Sequence, residues 1–165
     1  MSTVKQTLSV PAAAVTLITT AADLVTGATL LSASYDNTPV DAATNSGYEF
    51  ADFELIVPLG FLSNITVIKP VELYIIGAPD GTNYGTWTTS SSAVADTKMP
   101  VNAYVGAFLL TVETNASDPR RAVIRGVPLP PYKIEAGIRN NTGQTLDDGA
   151  SHIVLKMYPY SLKQE

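Results

Sequence analysis

Ala51-Asp52-Phe53-Glu54-Leu55-Ile56-Val57 puts Ala51, Phe53, Leu55 and Val57 on one side of an extended chain and Asp52 and Glu54 on the other. Successive side chains of a strand point to opposite faces, so this period of two marks a strand buried on one face. The pattern returns three times along the chain. Val71, Leu73 and Ile75 oppose Glu72, Tyr74 and Ile76. Tyr132, Ile134, Ala136 and Ile138 oppose Lys133, Glu135, Gly137 and Arg139, and Ile153, Leu155 and Met157 oppose Val154, Lys156 and Tyr158. Weaker strand patterns lie at 4–10, 14–20, 29–35, 63–68, 104–112 and 121–127.

Turn residues separate these runs: Asp36-Asn37-Thr38-Pro39, Pro79-Asp80-Gly81, Pro128-Leu129-Pro130-Pro131, Asn140-Asn141-Thr142-Gly143 and Asp147-Asp148-Gly149. Gly supplies positive φ and Pro a fixed φ, so both suit such joints. Helix signals are confined to alanines in 11–26, and the Val15-Thr16-Leu17-Ile18-Thr19-Thr20 centre of that segment is β-branched and favours a strand. Two stretches lack clear periodicity, 36–47 and 79–102, and connections as long as the second are uncommon unless functional. The expected fold is all-β: one domain over residues 1–165, a jelly-roll-like antiparallel β-sandwich of about eight to ten strands. Pro11 interrupts the first run, so residues 1–11 are expected to form an extended arm.

Composition narrows the chemistry. With 165 residues the chain can bury a core of its own. The absence of cysteine removes disulfides, thiolate metal sites and cysteine nucleophiles, and one histidine removes most other metal and acid–base sets. Charged residues make up 15%, against about 25% in an ordinary soluble domain, which fits a surface partly covered by protein partners. A net charge of −5 and a pI near 4.7 offer no basic face for nucleic acid. The opening Met1-Ser2-Thr3-Val4-Lys5 has no signal-peptide pattern, and no apolar run reaches the roughly 18 residues of a membrane span. The expectation is a soluble product of a cytoplasm.

His152 could serve a nucleophilic triad, but no Gly-x-Ser-x-Gly elbow accompanies it, and it reads as a surface residue at the start of the last strand. Asp52 and Glu54 are the only tidy carboxylate pair. Two acids flanking a bond hydrolyse glycosides, yet here the neighbours describe a solvent-facing strand. Asp80-Gly81-Thr82-Asn83 offers oxygens to calcium but too few for a full shell, and it reads as a turn. No phosphate-binding glycine loop occurs. Arg121 and Arg125 share strand parity and could face one partner or solvent. Tyr84 and Trp87, with Asn83 and Thr86, suit sugar stacking, a protein interface, or a loop folded on the core. Neither a metal nor a cofactor is expected.

The second half also carries a run of phrases: Leu73-Tyr74-Ile75-Ile76-Gly77-Ala78-Pro79-Asp80-Gly81-Thr82-Asn83-Tyr84, Ala103-Tyr104-Val105-Gly106-Ala107-Phe108, Arg125-Gly126-Val127-Pro128-Leu129-Pro130-Pro131-Tyr132-Lys133, Ile138-Arg139-Asn140-Asn141-Thr142-Gly143-Gln144 and Leu155-Lys156-Met157-Tyr158-Pro159-Tyr160. In this order, over about residues 70–160, they resemble small β-sandwich virion structural proteins of tailed bacteriophages, of the capsid decoration or cement type. The resemblance implies a non-enzymatic virion component, made in the host cytoplasm, that binds the assembled shell and stabilises it. Its partners would be the major capsid protein or other virion proteins, and it would form a homo-oligomer, with a trimer favoured. Tyr84, Trp87 and Tyr104, with Arg121 and Arg125, are the expected contact residues, and the arm at 1–11 could add a strand to a neighbour. A tail or fibre component gripping a host glycan through the 79–102 loop is the alternative. A secreted sugar-binding or hydrolytic sandwich is a third.

Overall fold

In the computed structural model, residues 6–8, 12–20, 23–38, 47–57, 70–84, 94–95, 101–110, 119–146 and 152–164 are described. In chain order their strands are β1 (Gln6–Leu8), β2 (Val15–Thr20), β3 (Ala28–Leu31), β4 (Tyr35–Asn37), β5 (Phe50–Val57), β6 (Pro70–Ala78), β7 (Val94–Ala95), β8 (Tyr104–Leu109), β9 (Arg120–Pro128), β10 (Tyr132–Asn140), β11 (Ile153–Tyr160) and β12 (Leu162–Gln164). A single 3-10 turn, Val101–Ala103, is the only helical element among the described residues. All four strictly alternating segments are strands. The 63–68 expectation lies outside the described residues, as do 39–46 and most of 79–102.

Three sheets form, every pair antiparallel. One has four strands in the order β2-β11-β5-β9. The second runs β7-β3-β10-β6-β8, with β4 also on β10, and β1 pairs with β12 in a separate two-stranded ribbon. Setting aside the short β4 and β7, the chain passes between the large sheets at every step except β6 to β8. Eight main strands in two sheets, β2-β11-β5-β9 over β3-β10-β6-β8, are the jelly-roll order.

Burial explains the layering. Ala51, Phe53, Leu55 and Val57 of β5 and Ile153, Leu155 and Met157 of β11 have no exposed surface. They meet Val71, Leu73, Phe108, Ile134, Ala136 and Ile138 of the other sheet in one core. Each large side chain buried there is worth about 1.5–3 kcal/mol. Two buried asparagines tie the loops to opposite ends of this core. Asn37 Nδ2 donates to the carbonyls of Tyr48 (2.9 Å) and Pro130 (3.1 Å) while its Oδ1 accepts from the Tyr48 N–H. Asn140 Nδ2 donates to the carbonyls of Leu24 and Gln144, both at 2.7 Å, and its Oδ1 accepts from the N–H and hydroxyl of Thr142.

The structure departs from the sequence pattern at two places. The strand expected at 29–35 is broken into β3 and β4, both on β10. At the break Ser32 N–H donates to the Ala136 carbonyl at 2.8 Å, but Ala136 N–H donates to Ser32 Oγ at 2.9 Å. The hydroxyl has taken the place of a backbone acceptor, so the regular ladder stops there. Tyr132 does not share the buried face of Ile134, Ala136 and Ile138. Its φ is +68° and it is 42% exposed, because the strand begins straight out of the Pro128–Pro131 turn. That turn lies against Gly77, where a Cβ would come within 2.7 Å of Pro130 Cβ.

Some of the expected arm is paired. Gln6–Leu8 lies antiparallel to Leu162–Gln164, with Leu8 opposite Leu162. The ribbon prolongs the β2–β11 ladder, and Ala12 N–H, donating to the Pro159 carbonyl at 3.0 Å, links the two.

Candidate interaction surface

The edge strands β8 and β9 end their sheets on the same flank and stack across the sandwich. They meet at Gly106, where a Cβ would make an ordinary van der Waals contact with Ile124 Cδ1 at 3.5 Å. Apolar side chains remain exposed on this flank: Tyr104 at 50%, Leu109 at 60% and Val123 at 49%. Tyr104 and Leu109 point outward from β8, and Val123 points outward from β9 between Arg121 and Arg125. All three positions of that Arg-Val-Arg row are exposed. Ala122 and Ile124 point inward but stay half-buried, and among the described residues no strand lies beyond them.

Residues of the expected contact set fall in different places. Tyr104 is on the flank, where its ring meets Tyr74 edge to face with centroids 5.6 Å apart. Arg121 and Arg125 are on the flank as well. Tyr84 is half-buried, and its hydroxyl is hydrogen-bonded to Ser34 at the interruption between β3 and β4, which ties it to the six-stranded sheet. Burial, with the nearby charges of Glu135 and Asp36, raises the Tyr84 pKa above its usual value despite the Ser34 bond. Trp87 lies outside the described residues. Leu109 and Val123 were not singled out by sequence reasoning, although Val123 has the parity of the two arginines.

The carboxylates considered for catalysis or metal binding are engaged in structural bonds. Arg121 Nη1 donates to Glu54 Oε1 at 2.8 Å and Tyr158 OH donates to Glu54 Oε2 at 2.7 Å. Burial pushes the Glu54 pKa up, but the bonds from Tyr158 and Arg121 and the charges of Arg121 and Lys156 outweigh it and hold the carboxyl below its ordinary value. Asp52 Oδ1 accepts from the Gly126 N–H at 2.9 Å. Gly126 has φ +68°, a conformation natural to glycine, beside an irregularity where β5 and β9 shift register. Asp80 accepts from the N–H groups of Thr82 and Asn83 and from Asn83 Nδ2. The Asn83 bonds, with that of Thr82, hold its pKa down to about 2. Asp80 therefore closes its own turn, as the sequence suggested. Among the described residues no group of three or more His, Asp or Glu side chains is placed to hold a metal. His152 is exposed, one residue before β11.

The opposite face of the six-stranded sheet is covered. Leu31, Tyr74 and Ala103 form a small second core there, with Ile76 against it. Tyr74 OH donates to Glu72 Oε2 at 2.6 Å, and burial together with that carboxylate pushes the phenol up to about 12. Glu135, opposite Ile76 in the ladder, is 3% exposed, and its Oε2 has no hydrogen-bond partner. Burial raises its pKa. Thr29 Oγ1 and Arg139 Nε, outward-facing on adjoining strands, are also buried without partners.

No family model, curated protein or solved structure matches the chain.

Proposed function

We propose that this jelly roll is a non-enzymatic virion structural protein that decorates a bacteriophage capsid and stabilises it by binding the assembled shell. One observation carries the proposal: both edge strands of one flank leave large apolar side chains exposed, Tyr104 and Leu109 on the outer face of β8 and Val123 on the outer face of β9. Tyrosine and arginine are enriched among the few residues that dominate interface energy, so Tyr104, with Arg121 and Arg125, suits an anchoring role, and Leu109 and Val123 add apolar area around it. The low charge content supports the same use of the surface. So does the engagement of Asp52, Glu54 and Asp80 in structural bonds rather than in an open catalytic pair.

A ligand that binds only the assembled state stabilises that state by mass action. A repeating shell then multiplies modest contacts through effective concentration. In this role the partner is the major capsid protein or another virion protein, and the chain acts as a homo-oligomer, a trimer by preference. The test is native mass or light scattering of the purified protein, followed by sedimentation with purified shells. A trimer that pellets with the shells and raises their melting temperature is the expected result. A monomer that ignores the shells and binds polysaccharide overturns the proposal in favour of a tail or fibre role.

A further inference from the structure

Among the described residues β9 is the longest edge strand of the sandwich. It has nine residues, against six each in β2 and β8 and two in β7. One side is paired with β5, and among the described residues no strand pairs with the other. A free edge presents a row of backbone donors and acceptors, which proteins usually guard with proline, bulges or inward-pointing charge. In β9 the proline stands at the end, at Pro128, and the irregularity lies at Gly126. The inward positions Ala122 and Ile124 carry no charge, and the one charge at that parity is Arg120, the first residue of the strand. The stretch from Arg121 to Ile124 is open and regular, and Arg125 stands with Gly126 opposite Asp52 at the shift in register.

Charge selects what can pair there. Three of the chain's ten basic residues, Arg120, Arg121 and Arg125, are in this one strand of an otherwise acidic protein. Arg121 is bridged to Glu54 yet keeps more than half of its side chain exposed. Among the described residues none pairs with the Arg125 side chain. Antiparallel pairing of β9 with β9 of a second copy, centred on Val123, would set Arg121 against Arg125 twice, and like charges directly opposite destabilise a sheet. A strand with acids at the matching positions meets the reverse situation.

We infer that the free edge of β9 accepts an extended acidic segment of a partner protein as an added strand, with acids on the outward face beside Arg121 and Arg125 and apolar residues on the inward face beside Ala122 and Ile124. Main-chain bonds give such a complex its affinity, and the alternating side chains give its specificity. The added strand also completes the burial of Ala122 and Ile124. This deepens the shell-binding proposal and rests on it, by stating what the shell must offer.

The probe is a capped peptide of alternating Glu and Val, as long as β9, with an alternating Lys–Val peptide as control. Amide hydrogen exchange and NMR shifts of the full chain locate the binding. The Glu–Val peptide should protect amides of residues 121–125, and its affinity should fall with added salt. Arg125→Glu, checked for an unchanged fold by circular dichroism, should weaken it about tenfold. Equal binding of both peptides, protection on β2 or β8 instead, or no effect of Arg125→Glu would overturn the inference. Shell sedimentation separates the two proposals. A wild type that binds the acidic peptide but not shells removes the capsid address and leaves the edge site. Full shell binding by Arg125→Glu removes the edge site and leaves the capsid address.

Discussion

Glu54 stands in the middle of β5 and Glu135 in the middle of β10, each on an inner strand of its sheet and each pointing away from the shared core. Glu54 lies on a half-covered face and has a partner for both oxygens, Arg121 and Tyr158. Glu135 lies on a face that is covered over, and one of its oxygens has no partner. The first carboxyl is held below its ordinary pKa and the second is raised by burial. Two residues of the same type, at equivalent places in a sandwich, thus affect stability in opposite directions. What separates them is whether desolvation comes with hydrogen bonds.

The largest effect should come from Tyr74, whose ring is enclosed on the covered face. Tyr74→Ala should cost about 3–5 kcal/mol, in the range of large aromatic deletions from a core. Tyr158→Ala, on the half-covered face, should cost about 1–2 kcal/mol, chiefly for the bond to Glu54. Urea midpoints measure both, and equal losses would mean that the two faces are not differently buried.

Glu135→Gln should stabilise the protein at neutral pH by on the order of 1 kcal/mol, since a neutral amide is cheaper to bury than a carboxylate. The sign follows from the raised pKa. The fold favours the protonated acid, so that contribution is complete below the ordinary value of 4.5 and is lost as pH rises through the raised one. Wild type and Glu135→Gln should therefore converge in melting temperature on acidification. A gap that widens at low pH would contradict the orphaned-carboxylate picture.

The smallest effect belongs to Arg121→Gln, which should cost about 0.2–1 kcal/mol because the pair with Glu54 is partly exposed. Its pH dependence runs the other way. A lowered carboxyl pKa stabilises the fold above its unfolded value and ceases to do so as pH falls through the lowered one. Added salt should shrink the difference between wild type and variant.

The residues that announced themselves in the sequence are those with one wet face. β5 and β11 alternate buried and half-buried without exception, and both were readable from period two. β3 is buried at all four positions because Thr29 and Leu31 face the covered side, and such a run carries no alternation to read. Glu135 looked like a solvent-facing residue for the same reason: its identity gives the parity of the position but not what lies over it. The break at Ser32 depends on a side chain bonding to a strand distant in sequence. The order of strands in the two sheets likewise rests on crossovers that no local pattern encodes. Of the interaction surface, Tyr104, Arg121 and Arg125 were legible. Leu109 and Val123 became visible only once β8 and β9 were known to be edges.

The β1–β12 ribbon has a mechanical consequence. Gln6 lies opposite Gln164, and the same ladder runs on into β2 and β11. Tension applied through these two strands would pull across the ladder from its open end, so its rungs would break in succession instead of sharing the load. A molecule tethered by both ends of its chain would unzip at low force. Grip through the side of the sandwich, along the length of an edge strand, would load many backbone bonds together in shear.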